Sequence, residues 1–91
     1  MCTTISATTT VKGSGKGPDG WFPLAQATVG FDHASHSGAE HALLIDFANY
    51  DLGTHARVAV ELDLASGRAL LDQLRRAIEA AEATGLREAP L

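Results

Sequence analysis

At residue 63 the hydrophobic rhythm of this chain changes period. Before it, four segments alternate residue by residue: 4–12, 21–33, 39–47 and 55–62. After it, Gly67, Leu70, Leu71, Leu74, Ala77, Ile78 and Ala81 recur at helical spacing. Period two sends successive side chains to opposite faces of a strand, whereas a period near 3.6 gathers them into one stripe along a helix. Half-apolar strands followed by an amphipathic helix are stable when the two apolar surfaces cover one another. The pattern predicts an α+β fold: a four-stranded antiparallel meander sheet in order 1-2-3-4, with one C-terminal helix over residues 64–84 packed on one face. Residues 1–91 read as a single domain.

Local residues sharpen this. Asp63 can cap the helix by accepting a free N–H of its first turn, and Gly85 can end it. Asp72–Arg76 and Arg75–Glu79 are spaced as ion pairs along its surface. Pro23 makes the start of the 21–33 strand irregular. Facing residues on neighbouring strands must share a face, so parity restricts register. His33 opposite His41 also aligns Phe31 with Leu43 and Val29 with Ile45. For the last two strands, Ile45 opposite Val58 puts Asp46 opposite Arg57. The first strand is expected to set Cys2 beside Gly30.

The register carries a chemical expectation. His33, His36 and His41 lie within nine positions, flanked by Asp32 and Glu40. The meander brings them to one end of the sheet, near Asp63 and Cys2, with His33 and His41 as direct neighbours on the core side. His55 falls at the opposite end of its strand and is excluded. Imidazoles that converge suit Zn²⁺, Cu²⁺ or Fe²⁺, with the local carboxylates completing a shell or orienting a ring. The metal candidates are therefore His33, His36, His41 and Cys2, and the catalytic candidates His33 and His41. The spacing lacks the H-E-x-x-H helix and any CxxC pair. Polar residues at a hairpin end remain the alternative.

Other features are weaker. Gly13 to Gly17, GSGKG, lacks the P-loop spacing and a following helix, so it reads as a glycine-rich connection, with an anion contact through Lys16 as the alternative. Trp21 and Phe22 read as lids on the core or on a subunit contact, or Trp21 as one wall of a pocket. One helix covers one sheet face. The other is expected to present Phe22, Leu24, Leu44 and Ala59 within a polar rim, the composition of a homodimer interface.

The net charge of −4, with seven Lys and Arg, argues against nucleic acid and acidic lipid as partners. No apolar run reaches the length of a membrane span, and MCTTISATTTVKG does not read as a signal peptide. With a single cysteine, these features predict a cytoplasmic protein.

Met1-Cys2-Thr3, GSGKG followed by Gly20-Trp21-Phe22, Phe31-Asp32-His33, Glu40-His41, Ile45-Asp46-Phe47 and the run from Ala56 to Leu62 together resemble an uncharacterised family of short proteins from high-GC bacteria, over most of the chain. The resemblance implies a small cytoplasmic bacterial protein and assigns no activity. Three readings follow. The first is a small metal-binding protein or metalloenzyme centred on His33 and His41. The second is a metal-free enzyme acting on a small molecule, with one of these as general base, oriented by Asp32 or Asp63. The third is a non-catalytic dimeric binding or accessory module.

Overall fold

The computed structural model describes residues 5–36, 38 and 40–85. Its main sheet has four antiparallel strands in the spatial order β1 (Ile5–Thr10), β4 (Gln26–His33), β5 (His41–Ala48), β6 (Arg57–Leu62). Helix α1 (Leu64–Ala83) follows after one residue. Between β1 and β4, a separate two-stranded hairpin is formed by β2 (Ser14–Gly17) and β3 (Gly20–Pro23). The α+β class and the antiparallel sheet with its C-terminal helix are thus as expected. The four strands of the main sheet are also as expected, but the order 1-2-3-4 is corrected: the sheet order is 1-4-5-6 and a separate two-stranded sheet is added, because the expected second strand is divided.

The division has a local cause. Pro23 has no N–H to continue a ladder, so the extended run cannot pass through it as one central strand. The chain crosses between sheets at the next two residues. Leu24 N–H still donates to Gly13 (2.9 Å), while Ala25 N–H donates to Ala48 (3.1 Å) in the main sheet. The hairpin closes through Pro18 and Asp19, with Gly20 at φ +112°. Its glycines allow close approach. A Cβ on Gly15 would meet the Leu24 side chain at 2.9 Å and Val58 at 3.5 Å. GSGKG is therefore a packed hairpin strand.

Pairing fixes which side chains share a face. In β4 and β5 the pairs are His33–His41, Phe31–Leu43, Val29–Ile45 and Ala27–Phe47, as expected. The other two registers differ. Ile45 faces Val60, not Val58, and Asp46 faces Ala59, not Arg57. Gly30 faces Ser6, not Cys2, and Cys2 lies outside the described residues. Parity is kept in each case. One face carries Ile5, Val29, Phe31, Leu43, Ile45, Phe47, Val58, Val60 and Leu62. The other carries Thr8, Thr28, Asp32, Asp46, Arg57 and Glu61 around Ala42, Leu44 and Ala59.

The apolar face is covered at its two ends. The hairpin reaches Val58, and the first turns of α1 reach Leu43, whose side chain leaves no room for a Cβ on Gly67. Asp63 caps α1, accepting from Ser66 N–H at 2.7 Å. The Ser66 side chain and its backbone N–H together hold the Asp63 carboxyl below its ordinary value. Gly85, at φ +70°, follows the helix end. On the helix surface Arg75 pairs with Asp72 (3.1 Å) and lies 3.9 Å from Glu79. No helix among the described residues is long and apolar enough to cross a membrane.

β1 lies close to β4 because Gly30 has no side chain. A Cβ there would lie 2.5 Å from the Ile5 carbonyl oxygen, which belongs to a strand backbone and cannot rotate away. Gly30→Ala should therefore lower stability by about 1–3 kcal/mol, the usual cost of forcing an extra carbon into a packed site. Denaturant unfolding would measure it, with amide exchange in β1 accelerating first.

Candidate functional site

The two faces hold different chemistry. On the apolar face, at the sheet margin, the His33 and His41 rings stack with centroids 4.6 Å apart and planes inclined by 29°. Phe31 stacks on His41 at 5.7 Å. The cross-strand pair is thus real, and the sequence placed it correctly. His36 is not part of it. Its side chain is 90% exposed, and its Nδ1 lies 3.9 Å from Glu61, whose side chain belongs to the polar face.

The reason is the path of the loop after β4. Glu61 accepts from Ser35 N–H (2.8 Å), Ser35 Oγ–H (3.1 Å) and His36 N–H (2.9 Å). Three bonds to one carboxylate draw the loop over the polar face, away from the histidine pair. Asp32, offered as an orienting carboxylate, sits on the polar face by strand alternation. Its Oδ1 accepts the His33 backbone N–H at 2.7 Å. Asp63 is engaged in capping α1.

A metal fits this arrangement incompletely. A borderline cation needs ring nitrogens converging at about 2.0–2.1 Å, whereas stacked rings present their faces to each other. Among the described residues, no group of three or more His, Cys, Asp or Glu is placed to hold an ion.

The polar face carries a larger feature. A cleft of about 690 Å³ lies between the Ser35–His36 loop and the Asp46–Arg57 ion pair. Thr28, Asp46, Arg57 and Glu61 supply polar lining, and Leu44 and Ala59 supply apolar lining. Arg57 Nε donates to Asp46 Oδ2 at 2.6 Å. The pair forms diagonally across β5 and β6, because the register sets Asp46 against Ala59. Thr8 and Thr28 join through their hydroxyls at 2.9 Å. Asp46 Oδ1 is buried with no hydrogen-bond partner among the described residues.

The sequence reading missed this site. It named Asp46 and Arg57 only as directly opposed residues of the last two strands, and it did not single out Glu61. The available clue was a strand, β6, with charges at 57 and 61 on one face of an otherwise apolar run. The expected dimer face is also revised. Leu44 and Ala59 line the cleft, whereas Leu24 lies beside Gly15, as does Val58 of the opposite face, and Phe22 lies on the hairpin. Trp21 is 71% exposed on the hairpin and does not line the cleft.

Fold and site together define a small α+β protein with a ligand-sized cleft on the polar face of an antiparallel meander. Within that class, the chain belongs to a family of unknown function (DUF6295), matched over residues 1–87. The resemblance to an uncharacterised family is borne out at that level. No curated protein and no solved structure matches the chain.

Glu61 is the anchor that shapes the cleft. Its side chain is only 16% exposed. Glu61→Ala should cost about 1.5 kcal/mol, since three donors of the exposed loop exchange an ionised acceptor for water. Hydrogen exchange should show the Ser35 and His36 amides opening well before the sheet.

Proposed function

We propose that this protein is a non-catalytic binding module whose polar-face cleft takes a small molecule bearing an amine or amide donor on an apolar body. The cleft itself carries the reading. Its volume of about 690 Å³ falls within the roughly 300–1,000 Å³ of small-molecule sites, and it combines apolar lining with a few fixed polar groups. Charge and hydrogen bonding select the ligand. Asp32, Asp46 and Glu61 line it against Arg57, which pairs with Asp46, so the lining favours a donor or a cation. The carboxylates of Asp32 and Asp46 on the cleft wall supply the acceptors for such a group. The lone cysteine supports a cytoplasmic setting, and the sequence resemblance a bacterial one.

A second reading retains the metal. The placement of His33 directly opposite His41 on adjacent strands favours it. Rotation of the stacked rings would turn two nitrogens toward one Zn²⁺, Cu²⁺ or Fe²⁺ ion, with Cys2 as a further ligand from outside the described residues. The same pair serves the general-base alternative.

An NMR titration separates the cleft from the histidine pair. Small amines and amides should perturb the Thr28, Asp46 and Arg57 amides, with affinity falling at least about tenfold in Asp46→Asn, the loss of one charge-assisted bond. Zn²⁺ alone should shift the His33 and His41 ring resonances to saturation at one ion per chain if the second reading holds, and His33→Ala should abolish it. Ligands that leave the cleft amides unmoved across a charge-stratified set would remove the first reading. A flat Zn²⁺ titration would remove the second.

A further inference from the structure

We infer that the apolar face of the sheet and the stripe of α1 together form the docking surface for a second copy of this chain. The first observation is what remains uncovered. The buried apolar side chains among the described residues are four alanines, Ala27, Ala42, Ala48 and Ala56. No residue of α1 is buried, and Leu70, Leu71, Leu74 and Ile78 are each half exposed or more. On the sheet, Ile5, Val29 and Val60 stand open on the face that α1 only begins to cross.

The second observation is area. The chain exposes 7093 Å², whereas a compact monomer of its mass exposes about 5,000 Å². Its radius of gyration is 15.0 Å, against about 12 Å for a compact chain of this length. Each copy therefore carries on the order of 2,000 Å² that folding leaves uncovered. Two copies covering it from each other would bury a total within the roughly 2,000–5,000 Å² range of obligate homodimers.

The occupant follows from the shape of the two surfaces. One chain carries both halves of a helix-on-sheet layer, a projecting apolar helix and an open apolar sheet face. Asp63 alone joins β6 to α1, which leaves its helix beyond its own sheet after the first turns. A twofold axis lets each helix lie on the sheet of the other copy, and the contact closes on itself. The polar lining of the cleft, Thr28, Asp46, Arg57 and Glu61, lies on the opposite face and stays open in that arrangement. This differs from the dimer expected from the sequence, which used Leu44 and Ala59.

Sedimentation of the full chain at tens of micromolar should give twice its 9.5 kDa mass, and the pair Leu71→Glu with Leu74→Glu should return it to the single-chain mass. Because that variant risks unfolding, a second measurement uses mild substitutions in a Cys2→Ser background. Leu74→Cys should react with a thiol reagent at least about tenfold more slowly than Arg76→Cys on the opposite side of α1, as interface burial requires. A single-chain mass for the unaltered protein would overturn the inference, as would equal reactivity of the two cysteines. So would a dimer split by Ala59→Arg and left intact by the α1 changes.

Discussion

The pairing of β4 with β5 decides everything else in this protein. These are its two central strands, and the register that sets His33 against His41 assigns every neighbouring side chain to a face. A slip of one residue would exchange the faces, carrying Leu43, Ile45 and Phe47 to the polar side and Asp46 to the apolar one. On the outer side of β4, Gly30 lies under β1, where only a hydrogen fits. On the other side, β6 pairs with β5 and brings Arg57 within diagonal reach of Asp46.

Two surfaces with different physics result. The polar face is internally organised: Glu61 holds the loop, Arg57 holds Asp46, and the paired threonine hydroxyls lie beside them. These bonds shape a cleft without closing it. The apolar face is organised only at its ends. Hairpin and helix cap it at Val58 and Leu43, and the middle is left to whatever completes it. A chain of 91 residues has little core to spare, since a domain this small buries only about 60–65% of its unfolded surface. Leaving the α1 stripe uncovered would cost it a large share of its apolar burial.

How much of this the sequence showed depended on contrast between neighbouring positions. The β4–β5 register was legible because each strand alternates strongly and a histidine marks each end. The helix was legible because Asp63 and Gly85 bracket a clear stripe. The β1 register was displaced because that strand is mostly threonine and its two faces look alike. The β5–β6 register was displaced by two residues because parity permits any even step, and the Asp46–Arg57 pair forms as well on the diagonal. The hairpin was hidden in GSGKGPDGWF, where glycines carry no side chain to display alternation. Extending that alternation through Pro23 then put Phe22 and Leu24 on the wrong surface. The candidate site suffered for a related reason. Periodicity speaks for strands, and nothing in it reveals that backbone N–H groups of a loop will bond to Glu61 and carry His36 away from its neighbours.

The division of labour between the faces is most directly tested by isotope-filtered NOE spectroscopy on a mixture of labelled and unlabelled chains. Contacts between copies should join the methyl groups of Leu71, Leu74 and Ile78 to those of Val29 and Val60, while Leu44 and Ala59 show none. Intermolecular contacts from Leu44 and Ala59, with none from α1, would contradict it.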